Sequence, residues 1–193
     1  VTPLSLKMPL PGSKSWMVTT EIGGKGCEDP TRITGSHTGL NYFSIDFGRT
    51  SKVGGTITVE TDVPIYAAAG GKVVFAGNST YNGNYIVIDH DYDGNLSTGY
   101  QTRYLHLKDN TFQVSYWDDV SQGQLLATMG GTGGVPIHLH FGVRYADDGN
   151  LTTNELTFVS MEGINLKSYM TECDGAGGIN GNWIAFYPST NTQ

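Results

Sequence analysis

The sequence predicts a mostly β protein, an antiparallel β sandwich or barrel with glycine-rich loops and an extra C-terminal segment. Strand-like segments recur roughly every 8–12 residues with turn-forming residues between them, which is typical of such folds. The chain has 27 glycines and only 15% charged residues, as expected for short strands joined by tight turns. Few segments have the apolar spacing of a helix.

The first clear strand lies at NYFSIDFG, residues 41–48. Its side chains alternate, so Ile45 and Phe47 are predicted to lie on one face and Asp46 on the other. Residues 54–77 then contain three predicted strands, separated by a turn before the VPIY segment and by a Gly-Gly turn.

The second half of the chain continues the same pattern. Residues 82–107 contain two strands around Asp93-Gly94, a dipeptide that favours a hairpin. Residues 120–134 contain a strand and a glycine-rich loop, and residues 136–151 contain another strand before a further Asp-Gly turn. These segments together predict the antiparallel class.

The length and charge of the chain limit what it can be. Its 193 residues suit a single domain spanning 1–193. The formal net charge of −7 argues against nucleic acid as a partner, because binding phosphates requires clustered lysines and arginines. No run approaches the ~20 apolar residues that a membrane-spanning helix needs, so we predict no membrane span. We expect a monomer.

The two cysteines, Cys27 and Cys173, lie near opposite ends of the chain. They are either two separate buried thiols or one disulfide. We favour the disulfide, because the chain starts at Val1 without an initiator methionine, as a processed and exported protein does. We therefore expect a secreted, periplasmic or cell-envelope protein of bacterial type.

Two of the five histidines lie one residue apart in VPIHLHFGV, residues 135–143. Side chains at positions i and i+2 of a strand point to the same face, so His138 and His140 are predicted to lie side by side. Such a pair binds a metal, or one member binds it while the other acts on a substrate. Taken alone, the pair is a weak indication of either role.

The remaining candidates are ambiguous one by one. Asp46 lies between two apolar residues, and a carboxylate near a core needs a compensating partner such as a metal ion. His37, in a polar loop, is by itself more typical of a surface histidine. His106 is predicted to share a strand face with Tyr104 and is by itself typical of a structural histidine. His90, among aspartates, is interpreted as a structural histidine that is charged beside carboxylates.

The candidates are more informative as a set. A catalytic zinc commonly has three protein ligands and leaves the fourth position to water, and two histidines with one aspartate fit a hydrolytic zinc. The chain has no His-Glu-x-x-His motif, which excludes the helical metalloprotease arrangement. The full set is His37, Asp46, His106, His138 and His140.

Five segments, in this order, carry a resemblance to a known family. They are HTGLNYFSID, DVPIYAAAGGKVVFAG, NGNYIVIDH with YLHL, and GTGGVPIHLHFGVR. With these motifs the chain resembles the lysostaphin-type, LytM-like zinc endopeptidases, which include the β-lytic proteases. The resemblance covers about residues 8–145 and leaves about 146–193 as the additional C-terminal segment.

The resemblance implies one zinc ion per chain, with His37, Asp46 and His140 as ligands. It implies that His106 and His138 are catalytic histidines that do not bind zinc, without indicating which is the general base. The chain departs from the family pattern in its first motif, where eight residues instead of three separate the histidine from the aspartate. We interpret this difference as a loop insertion.

The resemblance implies hydrolysis of peptide bonds in peptidoglycan peptides or in glycine-rich proteins. A net charge of −7 gives no electrostatic steering toward an anionic cell wall, so an elastin-like matrix protein is an alternative substrate. One rival function is a non-catalytic module of this fold that binds or regulates a cell-wall or protein partner. Another is a wall-binding domain with a structural zinc, which four protein ligands normally hold. We favour the enzyme because the whole residue set is present.

Overall fold

The computed structural model shows a protein built from β-strands. The residues it describes are 3–12, 15–20, 37, 44–53, 56–147, 150–152, 159–165, 186–189 and 191. These residues contain no helix. Their strands are β1 (Leu4–Leu6), β2 (Ser15–Thr20), β3 (Ser44–Val53), β4 (Thr56–Val59), β5 (Pro64–Tyr66), β6 (Gly71–Ser79), β7 (Gly83–Asp89), β8 (Gly99–Leu107), β9 (Asp119–Val120), β10 (Leu125–Thr128), β11 (Leu139–Asp147), β12 (Asn150–Thr152), β13 (Val159–Met161), β14 (Ile164–Asn165) and β15 (Phe186–Pro188).

Ten of these strands form one large sheet. Its order is β15-β2-β3-β11-β8-β7-β6-β9, with β4 beside β3 and β12 beside β11, and every pairing is antiparallel. Two small sheets, β10-β5 and β1-β13-β14, accompany it. The pairing of β1 with β13 is parallel. The predicted mostly β, antiparallel class is confirmed.

The core lies on one face of the large sheet. Ile45 and Phe47 of β3 are fully buried there, as their predicted alternation requires, together with Tyr104 of β8 and Phe141 of β11. Met161, from one of the small sheets, belongs to the same cluster. The small sheets therefore cover the apolar face of the large one, which gives two layers around one core.

The opposite face of the same strands carries the polar residues. In the pairing of β3 with β11, His140 lies directly opposite Asp46. On the other side of β11, His140 lies opposite Leu105 of β8. Because side chains alternate along a strand, the neighbours of the buried Ile45 and Phe141 point away from the core. The sheet thus places the aspartate and the histidine together.

His106 departs from the alternation expected in β8. Tyr104 and Leu107 both belong to the core although they are three residues apart. The register explains this, because Asn84 pairs with Leu107 and Ile86 pairs with Tyr104, which leaves one extra residue on β8. This is a β-bulge, and φ at His106 is +66°. The prediction that His106 shares a face with Tyr104 was wrong.

The described parts of the C-terminal segment pack on the N-terminal segment. β13 pairs with β1, and β15 pairs with β2. The buried Ser189 donates a hydrogen bond to the carbonyl of Leu10 at 2.8 Å, and the amide of Gly12 donates to the carbonyl of Asn191 at 2.8 Å. The additional segment therefore extends one edge of the large sheet and contributes to the core.

Two predictions concern other parts of the chain. Cys27 and Cys173 lie outside the described residues, so their pairing stays a prediction. Within the described residues, no helix is long and apolar enough to cross a membrane.

Candidate metal centre

Three atoms able to bind a metal converge where β3 and β11 pair. Nε2 of His37 lies 3.1 Å from Oδ1 of Asp46, and Nδ1 of His140 lies 3.0 Å from the same oxygen. The two ring nitrogens are 3.2 Å apart. All three side chains are buried. The structure thus brings together the three residues predicted as ligands, despite the longer spacing between the first two.

The distances between these three atoms suit a bound cation better than direct hydrogen bonds between the side chains. An ionised Asp46 only accepts, so His37 and His140 would each donate to it and their two N–H groups would then oppose each other. A tetrahedral zinc with bonds of about 2.0–2.1 Å places its ligand atoms about 3.3 Å apart. The observed separations of 3.0, 3.1 and 3.2 Å are close to that value.

The electrostatics of the cluster suit metal binding. Burial raises the pKa of Asp46, but its hydrogen bonds with His140 and His37 outweigh that effect and hold the pKa well below its usual range. Burial lowers the pKa of His140. The cluster therefore has an ionised carboxylate and a neutral His140 imidazole, the protonation states in which these groups bind metals.

Two further histidines lie beside the cluster. The ring of His106 is 4.8 Å from the ring of His138 and 5.9 Å from that of His140, between centroids. Nε2 of His138 lies 3.6 Å from Oδ1 of Asp46, farther than the nitrogens of the cluster. The structure therefore places the two predicted catalytic histidines next to the candidate metal centre.

Backbone carbonyls fix the tautomers of these two histidines. Nδ1 of His106 is 2.9 Å from the carbonyl oxygen of Thr132, and Nδ1 of His138 is 2.7 Å from that of Pro136. A carbonyl only accepts, so each Nδ1 carries a proton, and the neutral form of each ring has its lone pair on Nε2. Burial, with a further contribution from His138, lowers the pKa of His106 to about 4. His106 is therefore neutral at pH 7.

A cleft of about 770 Å³ is lined by the loop that leads to His138. Ile137, which precedes His138, and Thr132 both line it. The rest of its described lining includes the Gly130-Gly131 pair and Lys108, which forms an ion pair with Asp62. This cleft is the candidate site for a substrate.

His90 lies apart from the centre. Its Nδ1 is 2.8 Å from the carbonyl oxygen of Gly70, and its Nε2 is 2.9 Å from Oγ1 of Thr102. Burial lowers its pKa, so it is a neutral, hydrogen-bonded histidine. The predicted structural role agrees with these contacts. The predicted reason, a charged ring beside carboxylates, was wrong.

Sequence reasoning missed the residues that orient the histidines, Thr132 and Pro136. Both act through their backbone carbonyls, which every residue has, so residue type gave no indication of the role. The one available signal was position, because Thr132 lies in the glycine-rich loop that leads to the histidine pair.

Comparison with known proteins places these features in a family. The sequence model of peptidase family M23 matches residues 50–153. The matched span contains His106, His138 and His140, whereas His37 and Asp46 precede it.

Individual relatives match parts of the chain. Lipoprotein NlpD of Yersinia enterocolitica is 42% identical over 83 residues, 42% of this chain and 77% of that protein. Its namesake in Escherichia coli, a murein hydrolase activator, is 42% identical over 82 residues, 42% of this chain and 20% of that protein. Peptidoglycan DD-endopeptidase ShyA of Vibrio cholerae is 31% identical over 132 residues, 68% of this chain and 25% of that protein. The chain thus spans a quarter or less of two of these three relatives.

Solved structures share the fold. A zinc-containing peptidase from Vibrio cholerae superposes with a TM-score of 0.50 and 26% identity, covering 76% of this chain and 38% of that one. The match to the family model spans more than half of the chain, and the structural likeness agrees with it. The chain belongs to peptidase family M23.

Proposed function

We propose that the protein is a zinc-dependent endopeptidase of the cell envelope that hydrolyses peptide bonds in peptidoglycan. The observation that carries the proposal is the convergence of His37, Asp46 and His140 beside two histidines whose Nδ1 atoms are held by backbone carbonyls. Three ligand atoms leave a fourth position for water or substrate, as in catalytic zinc sites. A structural zinc normally has four protein ligands, so the rival function of a wall-binding module with structural zinc is less well supported.

In this mechanism each residue has one role. His37, Asp46 and His140 would hold the ion. A bound zinc lowers the pKa of coordinated water to about 7 and polarises the scissile carbonyl. His106 and His138 exchange protons through Nε2, because backbone carbonyls hold their Nδ1 protons. One of the two takes a proton from the attacking water through Nε2, and the other, when protonated at Nε2, donates a hydrogen bond to the tetrahedral oxyanion.

The names of the relatives support a peptidoglycan substrate. ShyA is a peptidoglycan DD-endopeptidase by name, and NlpD is a lipoprotein. Both names agree with a place in the cell envelope.

A second candidate function is activation of a separate murein hydrolase. The 42% identity to the Escherichia coli activator favours it. In that case the histidine cluster would serve partner binding, and the chain would not cut peptidoglycan by itself. The two functions differ in whether the purified chain releases products alone.

The test is a digest of purified murein by the zinc-loaded protein, with products identified by mass spectrometry. The proposal expects new amino and carboxyl ends in the peptide cross-links without any other enzyme. Pentaglycine and elastin, tested in parallel, check the glycine-rich alternatives. If protein with one zinc per chain releases nothing from murein yet accelerates an added murein hydrolase, the activator function is correct and the proposal is wrong.

A further inference from the structure

The backbone of His106 has a conformation that is unusual in a β-strand. Its φ of +66° lies in the left-handed region, which is strained for a residue with a side chain. Its N–H donates to the carbonyl of Asn82 at 3.1 Å. The bulge turns the side chain away from the core, but backbone geometry alone does not fix the rotation of the imidazole ring. The bond from Nδ1 to the carbonyl of Thr132 fixes it.

The hydroxyl of Thr132 fixes that carbonyl in turn. Oγ1 donates to the carbonyl of Leu107 at 2.8 Å, and it accepts a hydrogen bond from the amide of Asn84 at 2.8 Å. Leu107 directly follows His106, so the hydroxyl ties the loop to the same piece of β8 that carries the imidazole. Gly83 is part of this arrangement, because a Cβ there would collide with the carbonyl and hydroxyl of Thr132.

We propose that Thr132 is a positioning residue for His106. Its hydroxyl holds its own carbonyl where that carbonyl accepts the Nδ1 proton, so that His106 presents an unprotonated Nε2 to the reaction. The inference rests on the proposed peptidase function for its kinetic consequence. The hydrogen-bonded arrangement itself is independent of that function.

The kinetic test compares Thr132→Val, which removes the hydroxyl at nearly constant shape, with Thr132→Ser, which keeps it. Losing the hydrogen-bond partner of a metal-binding histidine typically costs 10–100-fold in affinity or activity, and we expect the same scale for His106. We expect kcat on murein peptides to fall about that much in the valine variant and to stay within about threefold of wild type in the serine variant. Zinc content should not change, because no candidate ligand is altered. The loss should appear in kcat and not in KM if Thr132 acts by positioning His106.

Thr111 supplies a matched control. Its hydroxyl also bridges two backbone groups, donating to Lys108 at 2.8 Å and accepting from the amide of Thr128 at 3.1 Å. Thr111→Val should therefore cost similar thermal stability but leave kcat unchanged. An equal loss of kcat in both valine variants would overturn the proposal, since the loss would then follow from lower stability in general. A raised KM with unchanged kcat would overturn it too, because Thr132 would then act as a wall of the cleft.

A second readout does not depend on activity. Nitrogen-15 NMR of the histidine side chains in metal-free protein reports which ring nitrogen carries the proton. The Nδ1–H form of His106 should dominate in wild type, Thr132→Ser and Thr111→Val, and a mixture should appear in Thr132→Val. Thr132→Ala serves if the valine variant does not fold. An unchanged tautomer in a folded variant without the hydroxyl overturns the proposal, even if the wild-type protein cuts nothing.

Discussion

Asp46 joins the two histidines of the candidate metal centre through one oxygen, Oδ1. A carboxylate flanked by Ile45 and Phe47 in an alternating strand already indicated a buried charge that needs a partner. The structure supplies His37 and His140 within 3.1 Å of it. The contacts of His106 and His138 with carbonyls could not be predicted from the sequence, because they depend on loop conformation and not on residue type.

The two histidines beside the centre give a prediction at the same scale. His106→Ala and His138→Ala should each keep zinc and lose about 10²–10⁴-fold in kcat, the usual contribution of a general acid or base. The double variant should lose little more than either single variant, because both groups serve one transition state. Steady-state kinetics with zinc analysis tests this. Loss of zinc from His138→Ala would show that both members of the His-x-His pair are ligands.

Among the elements, regular strands were predictable and their irregularities were not. The alternation of residues 41–48 gave the buried face of β3 correctly, because one residue in two contacts the core. The same rule failed in β8, where a bulge adds a residue and turns His106 to the other face. Nothing in YLHL marks that bulge. It is stabilised by contacts with Asn82 and Thr132, which are distant in sequence.

The end of β7 supplies a prediction about pH. The buried Asp89 accepts a hydrogen bond from the amide of Gly94 and lies beside Asp91. Burial, with the neighbouring Asp91, raises the pKa of Asp89 to about 7. An unfolded aspartate has a pKa of about 3.9, so between about pH 4 and pH 7 the folded state holds a proton that the unfolded state lacks. Its contribution to stability therefore decreases as pH rises through that window.

Asp89→Asn removes this titration while keeping an acceptor for Gly94. As the pH is raised from 5 to 8, the free energy of unfolding of the variant should rise by at least about 1 kcal/mol relative to that of wild type. One pKa unit corresponds to about 1.4 kcal/mol. Urea unfolding at both pH values, with a chelator so that metal content is equal, measures the difference. A stability difference that is the same at both pH values would contradict the assigned pKa.

At the scale of the whole molecule, the antiparallel β class was predictable from the sequence. The pairing of C-terminal strands with N-terminal strands was not. Turn spacing and glycine content indicated an antiparallel β protein. The pairing of β13 with β1 and of β15 with β2 joins segments more than 150 residues apart, and short strands carry no signal for their partners. The net charge of −7 argues against nucleic acid as a partner.

The cysteines give a prediction that concerns the whole chain. A bond between Cys27 and Cys173 would join the N-terminal and C-terminal segments, which β15 and β2 already bring together. Removing it should cost about 2–5 kcal/mol of stability, because the loop that it closes is long. Thiol titration of denatured, unreduced protein should find no free thiol. Two titratable thiols would refute the bridge and weaken the expectation of an exported protein.

The most direct test of the central claim is zinc binding by the three-atom centre. Elemental analysis and zinc-edge X-ray absorption should find one zinc per wild-type chain, with two imidazole nitrogens and one carboxylate oxygen among its ligands. His37→Ala and His140→Ala should lose that zinc, whereas His138→Ala, changed at the neighbouring histidine, should keep it. Stoichiometric zinc retained in His140→Ala, or wild-type protein that binds none, would contradict the account.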